Sequence, residues 1–207
     1  MYDREVAGRR LSFGVSGKLY RNSLIIYDRE TETLWSHLLG AAVQGPLRGE
    51  RLESIPSSFT TWADWRERHP ETLVLSPSAS PYGGYGTDPY AGYYDSGRVG
   101  VLGQARDDDR LDDKDLVLGV MAPAAKAYAF RDLERERTIH DTLAGEAVEV
   151  VYRRAARSAE AFLVEQGRRE RLPATPLFWF AWVDFFPSAP LWRPAESQQP
   201  QSASNGA

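Results

Sequence analysis

Proton transfer and nucleophilic attack need a histidine, carboxylate, hydroxyl or thiol held within reach of a second such group. This chain offers three histidines, His37, His69 and His140, and no cysteine. The lack of cysteine removes thiolate nucleophiles, disulfides and thiolate-held metal centres. The histidines stand far apart and form neither an HxxxH nor an HExxH pattern, so no metal site is read from them. His140 adjoins Asp141, a pair suited to moving a proton if both faced one cleft, yet neighbours on a strand point to opposite faces. A hydrolase-like enzyme using His37 or His140 with Asp28, Asp88 or Asp141 is the alternative reading of function. It requires the fold to gather at least two of these groups.

Two motif searches end at Phe13-Gly14-Val15-Ser16-Gly17-Lys18. A nucleophile elbow needs G-x-S-x-G, but Lys18 occupies the second glycine's place; a P-loop fails at Ser12 and Leu19. Gly14 and Gly17 therefore read as bulge and turn residues. The acidic run from Asp107 to Asp115 has oxygen ligands for calcium, but it lacks a glycine at its sixth position and has Leu118 where a twelfth-position glutamate belongs. A solvated loop is the expectation there.

Binding chemistry is better represented. Tyr82, Tyr85, Tyr90, Tyr93 and Tyr94 alternate with Gly83, Gly84, Gly86 and Gly92 and with Asp88 and Asp95. Tyrosine supplies rigid contact area with a hydroxyl, and glycine lets a loop mould to a ligand, as in peptide and carbohydrate recognition. Tyr85, Asp88, Tyr90, Tyr93 and Tyr94 are the expected ligand contacts, and a non-catalytic binding or interaction module is the leading reading. The competing reading is a loop whose rings merely pack over a sheet. No cofactor is expected, and no motif identifies the ligand or protein partner.

Composition sets outer limits. The chain has 207 residues, 25 basic and 29 acidic side chains, and a net charge of -4, ample for one core. Arginine makes up 22 of the basic residues, but they are scattered among the acidic excess, so nucleic acid is not an expected partner. The longest apolar run covers the seven residues 177–183, far short of the roughly 20 that cross a bilayer. Met1-Tyr2-Asp3-Arg4-Glu5 has no signal-like apolar core, so as written the chain reads as cytoplasmic, and as exported if the true N-terminus lies upstream.

The elements that must position these groups include an internal repeat. Residues 55–70 align without a gap on residues 172–187 at a constant offset of 117, matching Pro56 with Pro173, Trp62 with Trp179, Trp65 with Trp182 and Pro70 with Pro187. Each copy predicts a short helix with both indoles on one face. Ser57 or Ser58 is the expected cap of the first, which ends near Arg68 or His69 before Pro70. His69 aligns with Phe186 and reads as a helix end. The second helix is apolar nearly all round and belongs in the core or under a partner. Alanine at Trp62 or at Trp182 is expected to cost about 3–5 kcal/mol.

Short β-type runs occupy residues 11–15, 24–27, 33–36, 41–44, 51–55, 73–75, 115–121, 126–130, 138–142, 147–152 and 161–166. The expected fold is α+β, a predominantly antiparallel sheet built from two related half-repeats, each with a short tryptophan-bearing helix. One domain spans 1–192, with half-repeats 2–76 and 116–192 around a Tyr/Gly and Asp-rich connector, 77–115. Residues 193–207 read as a disordered tail.

The run Phe13-Gly14-Val15-Ser16-Gly17-Lys18-Leu19-Tyr20-Arg21-Asn22-Ser23-Leu24, then Leu34-Trp35-Ser36, Gly45-Pro46-Leu47 and Thr61-Trp62-Ala63-Asp64-Trp65-Arg66 with His69-Pro70, resembles a bacterial and archaeal family known as domain of unknown function 3179. The likeness continues through Asp88-Pro89-Tyr90-Ala91-Gly92-Tyr93, Val117-Leu118-Gly119-Val120 and Phe178-Trp179-Phe180-Ala181-Trp182. The family is uncharacterised, so the resemblance implies no activity. It does imply a longer chain: family members usually carry, before the Tyr2-Asp3-Arg4 start, a segment similar to residues 117–152 that ends in Cys-x-x-Cys. Either the start is misassigned or this is a reduced member, and that cysteine chemistry does not transfer to these residues.

Overall fold

Antiparallel hairpins built on tight turns dominate the chain. The computed structural model describes residues 1–76, 88 and 90–194. Its first part runs β1 (Glu5–Val6), β2 (Arg9–Arg10), β3 (Phe13–Tyr20), β4 (Ser23–Asp28), β5 (Leu34–Ser36), β6 (Ala41–Gln44) and α1 (Trp62–Arg68). A short α2 (Ala91–Tyr94) follows. The last part runs β7 (Leu116–Val120), β8 (Lys126–Ala129), α3 (Phe130–Glu136), β9 (Thr138–Leu143), β10 (Glu146–Arg153), β11 (Ser158–Glu165), β12 (Arg168–Leu172), β13 (Ala174–Phe178) and α4 (Trp179–Phe185). Strand order is β1-β2, β3-β4-β5-β6, β13-β7-β8 and β12-β11-β10-β9, with every named strand pair antiparallel. The α+β antiparallel class read from sequence is the class observed.

Four two-residue turns set the registers. Ala7-Gly8, Arg21-Asn22, Ala144-Gly145 and Gln166-Gly167 all have positive φ at both central residues. That is the primed turn whose twist matches the flanking strands. In β3 the register steps from Val15↔Ile26 to Lys18↔Ile25, so Ser16 and Gly17 form a bulge, with Gly17 at φ 73°. The expected bulge there is present, and it explains the glycine without any nucleophile or phosphate.

The β13-β7-β8 sheet is the middle layer. Alternation along β7 and β8 sends Leu118, Val120 and Tyr128 toward α3 and the β9–β12 sheet. Val117, Ala127 and Ala129 face the opposite way, onto Trp179, Trp182 and Val183 of α4. A Cβ on Gly119 would lie 2.4 Å from Cζ3 of Trp182, so the missing side chain is what lets the indole lie against the strand. A separate cluster of Val6, Leu11, Trp35, Ala42 and Leu52 holds the first part together.

Several sequence expectations need correction. Thr61, not Ser57 or Ser58, caps α1, its hydroxyl accepting from the Asp64 amide at 3.3 Å. Ser58 is occupied instead with Glu160 and Arg171. Residues 51–55 make isolated bridges, Tyr2↔Ser54 and Ala41↔Arg51, rather than a strand. Leu73, Val74 and Leu75 belong to no strand among the described residues and are 95%, 67% and 79% exposed. The expected tail largely falls outside the described residues, but Arg193 is placed, donating to the Arg110 carbonyl.

The two tryptophan helices share local geometry. Thr61 and Phe178 precede them at φ/ψ of -73°/151° and -72°/151°, and His69 and Phe186 end them with amides donating to the Trp65 and Trp182 carbonyls. Their environments differ: Trp179 and Trp182 are buried, at 0% and 1% exposure, whereas Trp62 is 49% exposed. The equal cost expected for the two alanine substitutions therefore does not hold. Trp182→Ala is expected to lose about 3–5 kcal/mol, and Trp62→Ala about 1 kcal/mol or less. Urea unfolding of both variants tests this, and equal losses would contradict the difference in burial.

Candidate functional site

The tyrosine surface is assembled from three segments. Asp88 starts it by folding its own turn, its carboxylate accepting from the Tyr90 amide at 2.8 Å. Tyr93 is then locked in place. Its hydroxyl accepts from the Gly100 amide at 2.9 Å, its carbonyl accepts from Lys114 Nζ at 2.5 Å, and that ammonium stands 4.2 Å from the ring centroid. Tyr93 and Tyr94 both lean on Phe178, at centroid distances of 6.3 and 6.4 Å. Asn22, from the β3–β4 turn, holds the neighbouring loop by accepting from the Val101 and Leu102 amides at 2.9 and 2.8 Å. On the segments so held, Tyr90 (63%), Tyr94 (52%), Val101 (71%) and Leu102 (63%) are exposed. Tyr85 and Tyr82 lie outside the described residues.

The hydrolytic candidates are not gathered. Asp28 is buried, accepting from Trp35 Nε1 at 2.9 Å and the Thr31 amide at 2.6 Å. Burial pushes its pKa up, but the bonds from Trp35, Thr31 and Thr33 together outweigh it and hold the carboxyl below its ordinary value. Asp141 pairs with Lys126 Nζ at 2.6 Å and accepts from the Tyr128 hydroxyl at 2.9 Å. There too burial raises the pKa and is overcome by Lys126, Thr142 and Tyr128, leaving it lowered. Burial, then the bond to Asp141, pushes the Tyr128 hydroxyl well above its ordinary value. His140 is exposed and stands opposite Glu149 on β10, while Asp141 stands opposite Val148. His69 stacks on Trp65 at 4.1 Å, in keeping with its place at the helix end. Among the described residues no side-chain hydrogen bond joins a histidine to a carboxylate.

His37 instead lines a cleft of about 260 Å³ that sequence reasoning did not find. Residues 57–59 and 174–176 line it, together with Tyr2, His37 and Leu38. The Tyr2 hydroxyl is shared between the His37 and Leu38 carbonyls at 2.8 and 2.9 Å. Burial raises the Tyr2 pKa and lowers that of His37. Ser57, Ser58 and Thr175 line this cleft, and among the described residues no carboxylate does. The arrangement offers hydrogen bonds to a polar group but no orienting partner for a general base. Two of its lining segments, 57–59 and 174–176, are ones that the offset of 117 aligns.

The acidic loop caps α4 rather than standing free in solvent. The Asp115 and Asp113 carbonyls accept from the Trp179 and Phe180 amides at 2.9 and 3.0 Å, and Arg110 lies over the Trp179 ring at 4.9 Å. These bonds satisfy amides that open a helix and otherwise lack partners. No group of three or more histidine or carboxylate side chains is arranged for a metal among the described residues.

The lowered pKa of Asp28 has a consequence with a definite sign. Its stabilisation is complete above the ordinary carboxylate pKa of about 4 and is lost as pH falls through its lower folded value. Asp28→Asn is expected to lower stability at pH 7 and to flatten its decline between about pH 5 and pH 2. Melting temperatures of parent and variant across that range test it, and parallel acid limbs would show that Asp28 carries none of the pH dependence.

Residues 1–189 match the family described as protein of unknown function (DUF3179). No curated protein and no solved structure matches the chain. The match takes in both tryptophan helices, the tyrosine surface and the cleft, and the chain belongs to the DUF3179 family of proteins of unknown function.

Proposed function

We propose that this protein is a non-catalytic binding module that receives a peptide or carbohydrate ligand on the surface formed by Tyr90, Tyr94, Val101 and Leu102. The observation that carries this reading is the division of labour among the tyrosines. Tyr93 is committed to Gly100 and Lys114, whereas Tyr90 and Tyr94 keep more than half their surface exposed. Aromatic rings held ready on an ordered base lose little entropy when a ligand covers them. The hydrolytic alternative is less well supported, because Asp28, Asp88 and Asp141 are each engaged in local structure.

The ligand set of the sequence reading thus divides. Tyr90 and Tyr94 are contacts, Tyr93 and Asp88 are supports, and Tyr85 is a candidate contact from the adjoining segment. Glycan and peptide arrays probed with the parent protein identify the ligand class. A Tyr90→Ala/Tyr94→Ala variant is expected to lose the array signal by about tenfold or more, the loss of about 1.4 kcal/mol of contact, with an unchanged melting temperature. Tyr93→Ala is expected to lower the melting temperature. Undiminished array binding by the double variant would overturn the proposal.

A further inference from the structure

Helix α3 and the turn between β10 and β11 carry positive charge that the fold leaves without a partner. Arg131, Glu134, Arg135, Arg137 and Arg154 line a cavity of about 400 Å³. Arg131 reaches Asp115 at 3.0 Å, and Glu134 accepts from the Tyr152 hydroxyl at 2.8 Å. Among the described residues, the guanidinium groups of Arg135, Arg137 and Arg154 form no ion pair. All three residues are exposed, in a chain whose net charge is -4.

Local choices at this place run against stability. Arg131 and Arg135 stand four apart on one helix, a like-charge pair that weakens it. Arg137 ends α3 at φ 64° and ψ -46°, close to a strained γ-turn conformation that a residue with a side chain rarely adopts. That conformation is held from both sides. The Arg137 amide donates to the Leu133 carbonyl at 2.9 Å, and its carbonyl accepts from the Tyr152 amide at 2.7 Å. The guanidinium lies 5.9 Å from the ring centroid of Tyr152, which is 5% exposed, so Arg137 is anchored to the core. A helix C-terminus favours a nearby cation. That accounts for Arg135, but neither for an arginine at a glycine-like φ nor for Arg154 on a separate turn. Choices that conflict with folding collect at functional sites.

We propose that this cavity binds a soluble phosphate monoester of a hydroxyl-bearing compound, such as a sugar phosphate. Guanidinium forks match phosphate oxygens in bidentate pairs. Four arginines against Glu134 and Asp115 leave two positive charges, the complement of a phosphate monoester, which is close to dianionic at neutral pH. A cavity of this size has room for the organic part as well. Glu134 is an acceptor only, so it suits a ligand hydroxyl beside the phosphate. The site shares no residue with the surface of Tyr90, Tyr94, Val101 and Leu102, so its test does not depend on theirs.

Isothermal titration calorimetry of the intact protein with glucose 6-phosphate, at fixed ionic strength, tests this. Saturable binding is expected, with weaker binding of inorganic phosphate and none of glucose. Affinity is expected to fall as the pH is lowered through about 6, where the ester takes up its second proton. Arg154→Gln removes one exposed guanidinium from a turn, and Arg137→Gly removes another at a φ where glycine is at home. Each is expected to weaken binding about tenfold, as the loss of a charged hydrogen bond does. Arg9→Gln/Arg10→Gln takes more charge from the exposed strand β2 and is expected to leave binding unchanged. Absence of saturable binding, or equal weakening by the β2 variant, overturns the proposal. So does capture on phosphatidic acid vesicles without binding of the soluble ester, since the phosphate would then belong to a lipid headgroup.

Discussion

The contact between Trp182 and Gly119 is the constraint on which most of the structure depends. The indole lies where a Cβ would stand, so α4 can approach β7 only because that strand carries no side chain at one position. Close approach fixes the height of α4 above the sheet, and with it Trp179 and Val183 against Ala127 and Ala129. Trp182 Nε1 is buried without a hydrogen-bond partner among the described residues. An orphaned donor of that kind costs about 1–3 kcal/mol, so shape complementarity across the glycine outweighs it. Trp65, in the more open helix, donates its indole N–H to the Thr72 hydroxyl at 2.9 Å instead.

The same layer positions the tyrosine surface. Phe178 is both the last residue of β13 and the residue that opens α4, so its ring is fixed by strand pairing and helix packing together. Tyr93 and Tyr94 rest on that ring. The first part of the chain reaches the same region through the tight β3–β4 turn. Tyr20 meets Phe185 edge-on at 5.7 Å, Arg21 donates to the Asp184 carbonyl, and Asn22 holds the loop with Val101 and Leu102. Asn22 sits at positive φ in that turn and also holds the loop, so one residue serves turn geometry and surface assembly.

Much of this was legible in the sequence, and the reasons are local. Alternation and glycine punctuation marked most strands, and the spacing of Trp62-Trp65 and Trp179-Trp182 marked both helices. What escaped depended on tertiary partners. β12 is Arg-Arg-Glu-Arg-Leu and becomes a strand because β11 pairs with it along five residues; nothing apolar announces it. Residues 73–75 have the aliphatic composition of a strand, yet composition cannot supply a neighbour to pair with. The repeat aligns residues 57–59 with 174–176, yet the cleft around His37 escaped, because an alignment shows likeness and not that two segments more than a hundred residues apart lie together. Asp28 looked like a catalytic candidate because sequence shows a carboxylate near a histidine and not the indole and hydroxyl that bury it.

Among the described residues, polar contacts join α1 and the segment before it to β10, β11 and β12, and no residue of the helix belongs to a core cluster. Arg171 donates to the Ser57 carbonyl at 3.1 Å and to Glu160 at 2.7 Å, while Arg153 stands 4.0 Å from Asp64 and 3.6 Å from Glu160. Partly exposed ion pairs of this kind contribute little each, and no residue of α1 is buried. Arg171 and Arg153 orient the helix without covering its indoles, whereas α4 is oriented and covered at once by β7, β8 and the acidic loop. Two helices with nearly identical cap dihedrals thus end in opposite states of burial, and the difference arises from the chain packed around them rather than from the helices themselves.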